Sequence, residues 1–366
     1  MTLVVKSQQG MSSIHFGQSE RNLNMETYIG QAFLSNVTTI VNDTDFLDKE
    51  TSAEIIHREG ITCLAHTPII LEGEPVGVLS AFSRTVKGIF TEEFIALFEN
   101  LAGQIAIAWR NDKQLQSLLE VREQEHEMQI AKDIQRSLLP ASLPEMKEFT
   151  IAGLCVPAHQ IGGDYYDCIQ RNESEIDLII ADVSGHNIGS ALIMAETRTF
   201  IHARVSDLKQ PAKMLRSLNK FFFDNMDCSD LFVTMFYLQY DPEDHKLSYG
   251  NAGHNNPLLW RSRSRSIDHL DAEGLIFGIK PHVDFEQKST RLETDDILLL
   301  YTDGIVEAED SNGNFFGIDR LDKLLCECAE LAPQELIDRI MDQVRIFTGL
   351  RHFKDDITLV VMKVLK

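Results

Sequence analysis

Leu178-Ile-Ile-Ala-Asp182-Val-Ser-Gly-His186 reads as an apolar strand that ends on a carboxylate and breaks into a glycine turn. An isolated charge at the end of such a run is costly unless something neutralises it. The arrangement recurs where Ile297-Leu-Leu-Leu-Tyr301 is followed by Thr302-Asp303-Gly304. Two further acidic groups, Gly162-Gly-Asp164 and Lys354-Asp-Asp-Ile-Thr358, stand beside glycines or an apolar strand. A hard divalent cation offsets that cost, because aspartate oxygens suit Mg2+ or Mn2+, whereas zinc favours histidine and cysteine. Any one Asp-Gly is an ordinary turn, since aspartate tolerates the geometry and glycine supplies positive φ. Four acidic clusters in one region point instead to a metal centre. His186 and His254, each in a glycine-containing turn, read as structural hydrogen-bonding groups.

Outward from these motifs, residues 145–366 alternate apolar strand-like runs with amphipathic stretches near 187–205, 211–226, 318–330 and 334–347. Tight polar turns such as Asp241-Pro-Glu-Asp244 predict antiparallel sheet rather than repeated βαβ units. Residues 1–110 form a separate unit. There, Ala65 to Leu71 and Pro75 to Phe82 flank Glu72-Gly-Glu74, a hairpin signal. Thr91 reads as an N-cap followed by Glu92 and Glu93 at the positive end of a helix dipole. No glycine or proline interrupts residues 110–139, so one helix is expected to continue to Pro140. Leu115, Leu118, Leu119, Met128, Ala131, Ile134 and Leu138 give it an apolar stripe, broken by the polar Arg122 to Glu127. That pattern predicts a coiled-coil linker over 111–140 and a homodimer through it.

Composition excludes several classes. The 366 residues carry 34 Lys+Arg against 56 Asp+Glu, a net charge of −22 that disfavours nucleic acid and anionic membrane surfaces. No apolar run approaches the roughly 18–20 residues of a membrane span, and residues 1–30 lack a secretory signal pattern. Six cysteines without CxxC spacing fit a reducing, cytoplasmic setting.

Taken in order, Ile134-Gln-Arg-Ser-Leu-Leu-Pro140, Gly162-Gly-Asp-Tyr-Tyr-Asp167, Asp182-Val-Ser-Gly-His186, Asn251-Ala-Gly-His254, Tyr301-Thr-Asp-Gly304 with Glu307, and Asp355-Asp-Ile-Thr358 resemble the motif set of bacterial SpoIIE-type serine/threonine phosphatases. These belong to the metal-dependent, type 2C-like PPM superfamily. The resemblance implies an α+β chain whose residues 141–366 form an αββα sandwich. It implies two Mn2+ or Mg2+ ions held by Asp164, Asp182, Asp303 and Asp355, with the Val183 carbonyl as a further ligand. Asp182 would bridge the ions and serve catalysis through the water they activate, and Asp356 is the alternative to Asp355. Asn187 and Ser190 depart from the family's glycine and alanine; asparagine tolerates the left-handed region, which would let the turn survive. Residues 1–110 resemble a GAF-like sensor domain shortened at its N-terminus, with Leu3-Val-Val5 matching that family's second strand.

The implied activity is hydrolysis of phosphoserine or phosphothreonine on a regulatory protein. By analogy with the family, that protein is an anti-sigma-factor antagonist with a STAS domain. Two other readings compete. An inactive, signal-binding scaffold is opposed by the presence of all four aspartates, and a two-metal phosphodiesterase is opposed by the acidic charge and the lack of a basic patch.

Overall fold

The computed structural model describes residues 2–4, 6–7, 9, 21–23, 25–45, 53–172, 175–185, 187–225, 231–349 and 353–365. His186, Cys228 and Val5 lie outside the described residues. The chain divides into two units, Met1–Gln124 and Glu125–Lys366. No helix among the described residues is long and apolar enough to cross a membrane.

In the first unit, β1 (Thr2–Leu3) pairs with β2 (Arg21–Asn22). Helix α1 (Tyr28–Ser35) starts at Thr27, whose hydroxyl accepts from the Gly30 N–H at 3.1 Å. Strand β3 (Thr39–Val41) and helix α2 (Ala53–Arg58) precede the hairpin of β4 (Cys63–Leu71) and β5 (Glu74–Ser83). The three strands form an antiparallel sheet in the order β3-β4-β5. Glu72 and Gly73 both take positive φ (53° and 90°), the geometry a two-residue hairpin turn needs. Helix α3 (Glu92–Leu138) is a single 47-residue element. It is opened by Thr91, whose hydroxyl accepts from the Phe94 N–H at 3.3 Å. Phe98, Ala102 and Ala106 are its buried residues, whereas Leu97, Leu101, Leu115, Leu118 and Leu119 stay exposed.

The second unit holds β6 (Phe149–Val156), β7 (Tyr165–Gln170), β8 (Ile176–Val183), α4 (Ile188–Arg204) and α5 (Pro211–Asn225). Next come β9 (Val233–Asp241), β10 (Lys246–Ala252), β11 (Leu258–Arg261), β12 (Ser266–His269) and β13 (Lys288–Arg291). Strand β14 (Ile297–Tyr301), helices α6 (Asp303–Val306), α7 (Ile318–Glu327) and α8 (Pro333–Thr348), and strand β15 (Ile357–Val364) complete it. Two five-stranded sheets result, β13-β10-β9-β8-β7 and β12-β11-β14-β15-β6, with every named strand pair antiparallel.

Period-two alternation sorts the side chains into three cores. Leu178 and Ile180 of β8, Leu298 and Leu300 of β14, and Val360 and Met362 of β15 meet between the sheets. Ile179 and Ala181 pack under α4 and α5 with Met194, Leu215 and Phe222. Leu299 and Val361 pack under α8 with Ile337 and Ile340. The architecture is an αββα sandwich.

Candidate active site

Strand register brings the acidic motifs together. Tyr165 pairs with Ala181, so one step further Asp164 stands opposite Asp182. Tyr301 pairs with Leu359 in the other sheet, and one step further Thr302 N–H donates to the Thr358 carbonyl at 3.1 Å. By parity Asp182, Thr302 and Thr358 all belong to the inter-sheet face, at one end of the sandwich. Hydroxyl groups join the sheets there: Thr302 and Thr358 both donate to Asp164 Oδ2, at 2.8 and 2.7 Å. Asp164 is buried, and this double contact leaves Oδ1 as the oxygen the threonines do not engage.

Asp303 opens α6, and Asp355 lies exposed just before β15, accepting from the Asp356 N–H at 2.8 Å. Asp356 is buried and spent on main chain. Its Oδ1 accepts from Ala158 N–H at 2.8 Å and its Oδ2 from Gly163 N–H at 2.6 Å.

The glycines of these motifs have a purpose the turn reading did not anticipate. Gly162, Gly163 and Gly304 do not take positive φ. They admit close approach instead. A Cβ on Gly162 would lie 2.1 Å from Asp356 Oδ2, one on Gly163 2.0 Å from the Val183 carbonyl oxygen, and one on Gly304 2.0 Å from the Asp356 carbonyl oxygen. Asp303-Gly304 is therefore the first turn of a helix and not a β-turn. Gly185, at φ +86°, does turn the chain after β8, where the Ser184 hydroxyl accepts from Phe232 N–H at 2.9 Å. The left-handed expectation at Asn187 is also corrected. Asn187 is extended (φ −123°) and caps α4, and it exchanges hydrogen bonds with Ser190 in a capping box. The two departures from the family pattern thus work as a pair.

Electrostatics set the carboxylates of the cluster against one another. Burial and then the charges of Asp303, Asp355 and Asp356 push the Asp182 carboxyl up to about 7. Burial and then Asp182 hold Asp164 well above the usual carboxylate range, against the pull of the Thr358 hydroxyl. Asp303 is raised by burial and by Asp355. Each of these charges is negative, and an arrangement of this kind calls for a cation. Among the described residues, no three His, Cys, Asp or Glu side chains converge closely enough to enclose an ion. The donor set suits a hard divalent cation in kind, all oxygen with no soft ligand. His254 is buried behind it. Its Nδ1 meets the Thr234 hydroxyl at 2.8 Å, its Nε2 closes no hydrogen bond of good geometry, and burial pushes its ring down to about 4. It is a neutral packing group.

The sequence reading singled out Asp164, Asp182, Val183, Asp303 and Asp355, all of which lie at this end of the sandwich. It passed over Thr302, Thr358 and the strut made by Asp356. A hydroxyl beside an acidic motif has many local uses, and only the pairing of β14 with β15 reveals that these two share one carboxylate.

Residues 172–365 match the family profile of Stage II sporulation protein E (SpoIIE), more than half of the chain. The chain belongs to the SpoIIE family. By that membership it is a protein serine/threonine phosphatase. Residues 5–110 match the GAF domain profile. The SpoIIE-family chain is 33% identical over 239 residues to phosphoserine phosphatase RsbU of Bacillus subtilis (strain 168), spanning 65% of this chain and 70% of that protein. Phosphoserine phosphatase RsbP of the same organism is 29% identical over 184 residues, half of this chain and 45% of RsbP. The fold is also that of the SiaA-PP2C domain of Pseudomonas aeruginosa, with a TM-score of 0.59 at 19% identity over 67% of this chain and 98% of that one.

Proposed function

We propose that the chain hydrolyses phosphoserine or phosphothreonine on a regulatory protein, an anti-sigma-factor antagonist of the STAS type, with two Mn2+ or Mg2+ ions. The observation that carries this reading is the cluster around Asp182, where the charges that raise its carboxyl are all carboxylates. Asp164, Asp182, Asp303, Asp355 and the Val183 carbonyl would hold the ions. Asp355 is preferred to Asp356 because both Asp356 oxygens already accept main-chain N–H groups. Bound there, the ions would make water acidic enough to act as hydroxide near neutral pH and would offset charge on the phosphoryl oxygens.

The chain's own residues do the positioning. Thr302 and Thr358 orient Asp164, the Asp356 strut fixes the loop before it, and Asp182 spans the middle of the cluster. No side-chain nucleophile is needed. The domain division proposed is a GAF-like sensor over 1–110, a helical linker over 111–140 and the phosphatase domain over 141–366, acting in the cytoplasm. The exposed Leu115, Leu118 and Leu119 support a homodimer formed along α3.

Incubation with phosphorylated STAS-domain proteins, with and without Mn2+, tests the reading by intact-protein mass. Loss of one phosphate only with Mn2+ is the expected result, and no loss from any of them would reject the substrate class. Light scattering at micromolar concentration tests the dimer, which a monomeric mass would overturn.

A further inference from the structure

We infer that His254 is a positioning residue for the phosphatase reaction, a neutral spacer packed between the two sheets that sets the distance between Asp182 and Asp303. The inference rests on the metal-dependent reading above. Asp182 lies at the end of β8 and Asp303 follows Thr302 after β14, so these two proposed ligands are carried by different sheets. The charge of Asp303 works against that of Asp182, so neither carboxylate holds the other in place. His254 reaches both strand ends. Its Nδ1 meets the Thr234 hydroxyl at 2.8 Å, and Thr234 stands directly opposite Asp182 where β8 pairs with β9. Residues paired in this way point to one face with Cβ atoms about 4.5–5.5 Å apart. On its other side the ring meets the Tyr301 carbonyl, off line for a full hydrogen bond, and Tyr301 stands two residues before Asp303.

The spacer has a fixed base. Asn251, near the end of β10, grips the His254 main chain from both sides: its Nδ2 donates to the His254 carbonyl at 3.0 Å, and the His254 N–H donates to its Oδ1 at 2.8 Å. Gly253 takes φ +72°, and a Cβ there would lie 2.5 Å from Ile276 Cγ2. The motif Asn251-Ala-Gly-His254 thereby acquires a physical role: its asparagine and glycine direct the imidazole across the gap between the sheets. The tautomer follows from the partners. With Nδ1 taken by Thr234, it is Nε2 that faces the carbonyl; a carbonyl only accepts, so Nε2 carries the ring proton and Nδ1 accepts from the hydroxyl. Neutrality suits the place. An imidazolium would offset the carboxylates and compete with a cation for them, whereas a neutral ring fixes the spacing and leaves their charge to the ion.

The test compares the full-length chain with His254→Phe, which keeps a ring in place and removes both nitrogens. Thr234→Val, which takes away the other half of the Nδ1 contact at nearly the same shape, covers the case in which the Phe variant does not fold. His269→Gln, exposed on β12, serves as control. Mn2+ affinity is read by electron paramagnetic resonance of free ion, the ring tautomer by nitrogen NMR shifts of the imidazole in chelator, and kcat and KM with para-nitrophenyl phosphate across a Mn2+ series. Loss of a group that orients metal ligands weakens affinity by about 10–100-fold; about tenfold, the low end, is expected for His254→Phe, which acts through Thr234 and Tyr301. Raising Mn2+ should restore kcat with KM unchanged, since the reacting groups themselves are intact. A merely structural role would instead lower the melting temperature and leave the Mn2+ affinity of the folded variant at the wild-type value, which would overturn the inference. So would a ring protonated on Nδ1. A wild-type chain that binds Mn2+ without hydrolysing phosphate would reject the phosphatase reading alone, because affinity and tautomer decide the role of His254 without turnover. A wild-type chain that bound no Mn2+ would overturn both.

Discussion

Two aspartates five positions apart on β8 meet opposite surroundings. Asp177 faces the helical layer and is fully buried, yet Arg171 Nε donates to both its oxygens at 2.7 Å and the Tyr237 hydroxyl donates to Oδ2. The same guanidinium ties the Val205 and Leu208 carbonyls at 2.6 and 2.8 Å, stitching the end of α4 to the sheet. Asp182 faces the opposite sheet, and the charges that act on it are those of Asp303, Asp355 and Asp356. One carboxylate is complete within the protein and the other is not. A paired buried charge holds structure, whereas like charges gathered at a strand end store repulsion that a cation can relieve.

The sharpest way to break this contrast is to neutralise each in turn. Asp182→Asn should lower Mn2+-dependent phosphate release by at least about a thousandfold, the scale on which a metal centre contributes to phosphoryl transfer. Its melting temperature should hold or rise, because a repelled charge has gone. Retention of a sizeable fraction of wild-type turnover would remove Asp182 from the centre of the mechanism. Asp177→Asn should do the reverse. It leaves Arg171 buried without its counter-charge, so urea denaturation should show a loss of about 3–5 kcal/mol. The specific activity of the folded fraction should not change.

A pH titration sharpens the comparison without a mutation. The Asp182 carboxyl stands at about 7 in the folded chain, raised by burial and then by its carboxylate neighbours. In the unfolded chain an aspartate titrates near about 3.9. The folded state therefore binds this proton more tightly. The stabilisation is fully present below the unfolded pKa and is lost as pH rises through the folded one. In chelator, stability should fall between about pH 4 and 7, with up to about 1.4 kcal/mol per pH unit from this group. Scanning calorimetry at pH 5, 6 and 7 measures it. Mn2+ and Asp182→Asn should each flatten the slope, and a metal-free melting temperature that climbs across this window would contradict the assignment.

The contrast also marks how far the sequence could be read. Unbroken apolar runs in Leu178 to Ala181, Ile297 to Tyr301 and Leu359 to Met362 announce the strands, because a strand buried on both faces carries apolar side chains on both. The acidic positions at their ends are legible for the same reason. Whether an aspartate has a partner is a property of chain topology, so Asp177 and Asp182 look alike until Arg171 is placed beside one of them. Thr302 and Thr358 lie 56 residues apart and share Asp164 only through sheet pairing. Gly304 reads as a turn residue because Asp-Gly usually is one; the carbonyl of Asp356 that it must clear belongs to the residue just before β15, far along the chain. In the first unit, α1, β3 and α2 went unread, being 8, 3 and 6 residues long, too short for periodicity to show.

Asp167 lies between the two extremes and supplies the smallest effect. It is 5% exposed, and its Oδ2 meets the Tyr165 hydroxyl and His202 Nε2, both at 2.7 Å, while Oδ1 accepts from Cys168 N–H at 2.8 Å. Its basic partner differs from that of Asp177 in one respect: the His202 side chain is 38% exposed, whereas that of Arg171 is 6% exposed. His202→Ala removes one of three contacts, opens the vacated volume to solvent and lets water take the place of the imidazole. The two protein donors stay. The loss should then be that of a single replaceable hydrogen bond, about 0.5–1.5 kcal/mol in urea denaturation. Turnover should be unaffected, because Tyr165 and Ile169 on the same face of β7 pack under α4 and not between the sheets. A loss as large as that of Asp177→Asn would mean that partner exposure does not grade these carboxylates. A fall in turnover with stability intact would instead show that the position of α4, which carries His202, is felt at Asp164, three residues before Asp167.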